Sequence, residues 1–288
     1  MLKKRIIGVV IVKDQINVQS IEFKKYLPIG SPAISVEYLN DWGIDEIILL
    51  DISASKKGKK PDFEKILSLS KYCGVPLCVG GGIKEIDDIS KLMDCGADKI
   101  SLNHSFSNDM KFIENAAKRF GSQCIVASMD ILNHRGEYKM YDYFNNKSTN
   151  QSPIQTAKKY EEIGVGEIFL NSVNQDGTYQ GFDLKPISDI SDAVNIPVIA
   201  CGGAGKANDF INVFNNTNAA AAAAGNFFNF YEHSVTIVKE AIQREIKIRH
   251  ETHYKYSNHL LDDQNRLLKK SDAFLEELIF VKIEKEII

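Results

Sequence analysis

Ile196 to Lys206 reads IPVIACGGAGK, and 121 residues earlier Val75 to Lys84 reads VPLCVGGGIK. In each copy a proline precedes a short apolar run that ends in glycines, the pattern of a buried strand entering a tight loop. Glycines at that point let backbone N–H groups close around an anion, usually phosphate. The flanks repeat at the same offset: EIILLDIS at Glu46 to Ser53 matches EIFLNSVN at Glu167 to Asn174. A repeat of strand, loop and helix is a fold-level signal. Two half-barrels, each with its own phosphate loop, predict one (β/α)8 barrel for a substrate phosphorylated at both ends. The alternative on pattern alone is a doubly wound sheet with two glycine turns.

The chain has 288 residues, 44% of them hydrophobic, which suits a single barrel with a full core. Its 35 basic and 38 acidic residues are interspersed and sum to −3, giving no charge argument for nucleic acid or an anionic membrane. Cys73, Cys78, Cys95, Cys124 and Cys201 are odd in number and show no CxxC spacing. They read as free thiols of a reducing cytoplasm, with no metal site and no cofactor expected. The apolar run in MLKKRIIGVVIVKD meets Lys13 and Asp14 after seven residues, so it reads as a first strand and not as a signal peptide.

Alternating patterns place strands at Arg5 to Val12, Glu46 to Asp51, Pro76 to Gly80, Lys99 to Leu102, Cys124 to Asp130, Glu167 to Ser172 and Pro197 to Ala200. Helices are predicted at Ala33 to Trp42, Phe63 to Tyr72, Ile86 to Cys95, Met110 to Phe120, Gln155 to Ile163 and Ser234 to Arg249. Polar loops follow strand one and, as the longest insertion, strand five at Asn133 to Ser152. Propensity favours a helix in the alanine run Ala219 to Ala224, but the repeat requires an eighth strand there. The barrel is expected to occupy residues 1–250, and residues 251–288 form a C-terminal extension whose role the pattern does not define.

KRIIGVVIVKD, DEIILLDISAS, VGGGI, GADKISLN, RFGSQCIV, GVGEIFL, QDGTYQGFDL and SDAVNIPVIACGGAGK together cover nearly the whole barrel. In these stretches the chain resembles the cyclase subunit of imidazole glycerol phosphate synthase. That family is a (β/α)8 barrel that takes ammonia from a glutaminase partner to split and cyclise a bisphosphorylated ribotide of histidine biosynthesis. The resemblance implies phosphate and substrate contacts at Gly81, Gly82 and Asn103 on one side, at Asp176, Gly177, Gly202 and Gly203 on the other, and at Gly225 and Asn226 after strand eight. It implies that Asp51 and Asn171 orient the substrate and that Asp130 is a general acid/base.

The family's second aspartate, at the end of strand one, is Ile11 here, where VVIVKDQ stands in place of CLDVKDG. A side chain without a proton or charge should cost a step that needs the carboxylate on the order of 10²–10⁴ in rate. The lysine of the family's first loop is Gln19, the strand-six threonine is Asn171, and the serine before the third glycine loop is Cys201. At the other end, Arg5, Glu46, Lys99 and Glu167 begin four strands and match the family's ammonia gate, a ring of two cations and two anions. Asp98 and Gln123 match positions of partner contact. Two functions follow as expectations. One is a diverged paralogue, similar to those accompanying surface-polysaccharide amidotransferases, that docks a glutaminase and conducts ammonia to a third protein making an amidino sugar. The other is a working cyclase of histidine biosynthesis.

Overall fold

The computed structural model describes residues 3–103, 109–230, 233–249 and 268; apart from Leu268, the extension after residue 250 lies outside them. The first half runs β1 (Arg5–Lys13), β2 (Ile16–Ile21), β3 (Lys25–Gly30), α1 (Pro32–Asp41), β4 (Glu46–Asp51), α2 (Phe63–Ser70), β5 (Leu77–Gly80), α3 (Ile86–Asp94), β6 (Lys99–Leu102) and α4 (Met110–Phe120). The second runs β7 (Ile125–His134), β8 (Glu137–Asp142), β9 (Lys147–Ser148), α5 (Pro153–Glu162), β10 (Glu167–Ser172), α6 (Leu184–Ser191), β11 (Val198–Cys201), α7 (Ala207–Asn216), β12 (Ala221–Ala224), α8 (Asn226–Phe230) and α9 (Ser234–Ile242).

Eight of these strands are parallel neighbours in the order β1, β4, β5, β6, β7, β10, β11, β12, and β12 pairs back onto β1. The pairing of β7 with β10, Glu167 opposite Val126 through Ser172 opposite Ile131, lies within the second half, and the pairings of β6 with β7 and of β12 with β1 join the two halves and close the barrel. Side chains alternate across the strands. Ile7 and Val9 of β1, Ile48, Cys78, Val126, Phe169, Ile199, Ala221 and Ala223 fill the bore, with Ile11 and Leu50 against them. Ile6, Val10, Ile47, Ala222 and Ala224 belong to the larger core between strands and helices.

The alanine run is a strand, as the repeat demanded. All four residues of β12 are buried between β1 and β11, and tertiary pairing outweighs alanine's helical preference. Two expectations need correction. The polar stretches after strands one and five are hairpins: β2 pairs with β1 and β3, and β8 extends β7 antiparallel. Asp14–Gln15 and Arg135–Gly136, 121 residues apart, take positive φ at both positions of a two-residue turn. Asp-Gln and Arg-Gly carry little of the usual Asn-Gly signal, which is why polarity suggested loops. The final helix, expected to reach Arg249, ends at Ile242, and Ile248 instead bridges to Lys4. Lys239 of α9 is fully buried, and its Nζ donates to Asp45 Oδ1 at 2.7 Å, while Asp45 Oδ2 accepts from the Ile6 amide at 2.7 Å. This pair fastens α9 to the first two barrel strands.

Candidate functional site

At the strand starts the four charged residues meet on the barrel axis. Arg5 donates to Glu46 at 2.6 Å and also to Glu167; Lys99 Nζ lies 2.9 Å from Glu46 Oε1 and 2.8 Å from Glu167 Oε2. Every cation touches both anions, so the ring is closed and neutral. Burial opposes these charges, but the pairing wins: Arg5 and Lys99 hold Glu167 below the usual carboxylate range, and the two glutamates hold Lys99 above the usual ammonium value. The strand pattern that makes position 46 face inward also applies at position 167, its repeat mate. Above the ring, the bore is the apolar layer described above, in which burial keeps the Cys78 thiol protonated.

At the strand ends lies the chemistry. Asp130 of β7 is 5% exposed, and Asn103, just past β6, donates to its Oδ2 at 2.7 Å. Burial raises the Asp130 carboxyl from 3.8 to about 7, with the Asn103 hydrogen bond pulling it down and the charge of Asp176 pushing it up. A carboxyl near 7 can both accept and donate a proton at neutral pH. Ile11, at the end of β1, lines the same cavity of about 490 Å3, together with Asp51, Gly81, Gly82, Asn103 and Asn171. Asp51 Oδ1 accepts from Ser53 Oγ at 2.8 Å and from the Ser53 and Ala54 amides at 2.9 and 3.0 Å, so this carboxylate shapes the loop after β4.

The two glycine loops are equivalent. Gly81 and Gly202 have φ of 111° and 100°, and a Cβ on Gly202 would stand 2.8 Å from Ser172 O. Only glycine allows each loop to turn against the end of the preceding strand. One aspartate then holds each loop to its helix. Asp88 Oδ2 accepts from the Lys84 and Glu85 amides at 3.0 and 3.2 Å, and Asp209 Oδ2 accepts from the Gly205 and Lys206 amides at 2.8 and 3.0 Å. The sequence reading missed this pair, although the spacing of 121 residues between them could have found it. The second loop borders a smaller adjoining space of about 40 Å3, which shares Ile11, Leu50 and Asn171 with the larger cavity and has Asp176, Gly177, Gly203, Gly225 and Asn226 in its wall.

The histidine biosynthesis protein family model matches residues 5–236. A protein provisionally assigned as imidazole glycerol phosphate synthase subunit hisF2 of Vibrio vulnificus is 40% identical over 264 residues, 91% of this chain and 97% of its own. The subunit HisF of Clostridium botulinum strain Okra is 38% identical over 247 residues, 85% of this chain and 98% of its own. A hisF2 of Campylobacter jejuni, also provisionally assigned, is 41% identical over 245 residues, 85% of this chain and 97% of its own. The chain belongs to the HisF family of imidazole glycerol phosphate synthase subunits.

Within this HisF-family barrel the remaining expected residues fall as follows. Asp98 and Gln123 are exposed just before the strand starts, on the face of the ring, and Asp98 Oδ2 also accepts from the Leu77 amide at 2.8 Å. Gln19, on β2, donates to the Tyr179 hydroxyl at 3.1 Å. Cys201 is buried in the bore. None of the five cysteines forms a disulfide. Among the described residues no helix is long and apolar enough to cross a membrane. Polarity patterns could not show the roof of the larger cavity. Phe23, in the β2–β3 turn, meets Tyr141 and Tyr143 edge-on, with ring centres 6.1 and 6.5 Å apart, and so joins the two hairpins.

Proposed function

We propose that this HisF-family chain docks a glutaminase at its ring face and passes ammonia along the barrel axis to the mouth. The observation that carries this reading is the closed ring of Arg5, Glu46, Lys99 and Glu167 beneath an apolar bore. Neutral ammonia crosses such a bore at little cost, whereas ammonium would lose its hydration without a partner. With every arm paired the ring is shut, and Lys99, a point charge on a flexible stem, is the arm able to swing aside while Arg5 still bridges both glutamates. Asp98 and Gln123 supply exposed polar contacts on that face for the glutaminase.

Ile11 beside Asp130 supports divergence from the two-aspartate cyclisation, as does the similarity to the hisF2 proteins. In this reading the ammonia serves amidino-sugar synthesis for a surface polysaccharide, through a third protein. The test is co-purification with a glutaminase encoded nearby, and transfer of glutamine nitrogen. Binding and transfer should survive Asp130→Ala and fail when the ring is broken by Lys99→Ala with Glu167→Ala. Ring variants that still dock and transfer nitrogen would sink the proposal.

The second reading is a cyclase, and Asp130 near 7 favours it because one poised carboxyl already provides half of the acid–base pair. Turnover of the family's ribotide with ammonium salts by the wild-type chain would establish it. Activity only in Ile11→Asp would mean that the pocket is kept and the chemistry dropped.

A further inference from the structure

Asn171 of β10 and Asp130 of β7 stand opposite each other in the parallel pairing of those strands. Their side chains therefore leave the sheet on the same side, one strand spacing of about 4.8 Å apart, and both line the cavity of about 490 Å3. Asn171 Oδ1 is buried and has no hydrogen-bond partner among the described residues. Asp130 Oδ2 accepts from Asn103, and among the described residues Oδ1 takes no hydrogen bond. Ser101, on neighbouring β6, is 4% exposed, and its Oγ is likewise unpartnered in the cavity wall. Buried polar atoms of this kind normally meet a partner. An amide oxygen and an ionised carboxylate can only accept, so these positions call for a ligand group with several N–H donors.

The charge around them points the same way. The wall of the cavity carries three carboxylates, Asp51, Asp109 and Asp130, against one lysine, Lys84, whose Nζ donates to Gly58 O at 2.8 Å. This balance favours a cation over an anion. Phe23, Tyr143 and Phe169 add aromatic rings to the same wall, against which a planar cation packs. Burial lifts Asp130 to about 7, and an adjacent cation draws it back toward the ionised form. Asparagine and aspartate are of equal length, so their oxygens reach the same height above the strands; the threonine usual in the family at position 171 would stop one bond short. Two acceptors one strand apart suit the divergent N–H2 groups of a planar amidinium or guanidinium better than the point charge of an ammonium.

We propose that the floor of this mouth is a fork for a planar nitrogen cation: an amidinium or guanidinium group of the ligand donates one N–H2 to Asn171 Oδ1 and the other to Asp130, with Ser101 Oγ beside them. This assignment stands on the mouth alone, and neither glycine loop nor the ammonia route enters it.

The test compares benzamidine with its neutral isostere benzamide on the full chain at pH 8, by calorimetry and ligand-observed NMR. Benzamidine is expected to bind with a Kd on the order of 1 mM, and benzamide at least about tenfold more weakly. Asn171→Thr and Asp130→Asn should each weaken benzamidine about five- to tenfold and leave benzamide within about twofold, a split that general loosening of the pocket would not produce. Thermal melts check that each variant is folded, and the comparison of the two probes on the wild-type chain decides the proposal even where a variant is not. Equal binding of the two probes, no benzamidine binding at about 20 mM, or folded variants that bind it as the wild type does would overturn the proposal. Nitrogen transfer from a glutaminase is measured separately, so either idea can fail without the other.

Discussion

Asp130→Asn should stabilise the protein, by an amount that depends on pH. Burial lifts the Asp130 carboxyl from 3.8 to about 7 in the fold. The folded chain therefore holds this proton where the unfolded chain has released it, and stability falls as pH rises from about 4 to about 7. At roughly 1.4 kcal/mol per pH unit the full penalty is about 4 kcal/mol above pH 7, and relaxation of the site makes about 2–4 kcal/mol a fair range. Asparagine keeps an oxygen to accept the Asn103 hydrogen bond and carries no charge to bury. With about 2–4 °C per kcal/mol for a chain of this size, the variant's Tm should exceed the wild type's by about 5–15 °C at pH 8. Near pH 4 the two should nearly coincide. Thermal melts at pH 4.5, 6, 7 and 8 measure this directly. A Tm difference that is the same at all four values, or a less stable variant at pH 8, would refute a neutral buried carboxyl at this position.

Other expected outcomes concern the supports of the site. Lys239→Met removes the buried ammonium bonded to Asp45 and should cost about 3–5 kcal/mol in denaturant melts, much of it recovered by adding Asp45→Asn. Glu167→Gln removes one anion from the ring and leaves Arg5 and Lys99 facing a single glutamate. It should destabilise the fold by about 1–3 kcal/mol, and Lys99→Met in the same chain should restore part of the loss, as a double-mutant cycle would show. Gly202→Ala sets a methyl 2.8 Å from Ser172 O at a φ of 100°, and should lower stability by more than about 1 kcal/mol, against less than about 0.5 for Ala at exposed Gly58's neighbour Lys57.

The repeat of 121 residues by itself determined the barrel. It set the strand at Ala221–Ala224 against local propensity, and it placed Glu46 and Glu167 at the same height in the bore. Strand alternation did the rest for the ring, because residues at strand starts with inward parity must meet on the axis. Glycine loops, the poised position of Asp130 and the substitution at Ile11 were equally legible, since each lies at a strand end that pattern alone can locate. What pattern could not give is any contact made by long-range folding. The hairpins after β1 and β7 form through turns without the usual residue signal, and whether a polar stretch pairs depends on the strand it returns to. The value near 7 at Asp130 comes from burial, which no neighbouring letter records. The contacts made by the two glycine loops are also tertiary: Ser20 and Phe23 reach Asp176 across more than 150 residues, and Ser55 Oγ accepts from the Gly82 amide at 3.0 Å. A sequence repeat makes the two halves alike in backbone, and only packing decides which side chains each half brings together.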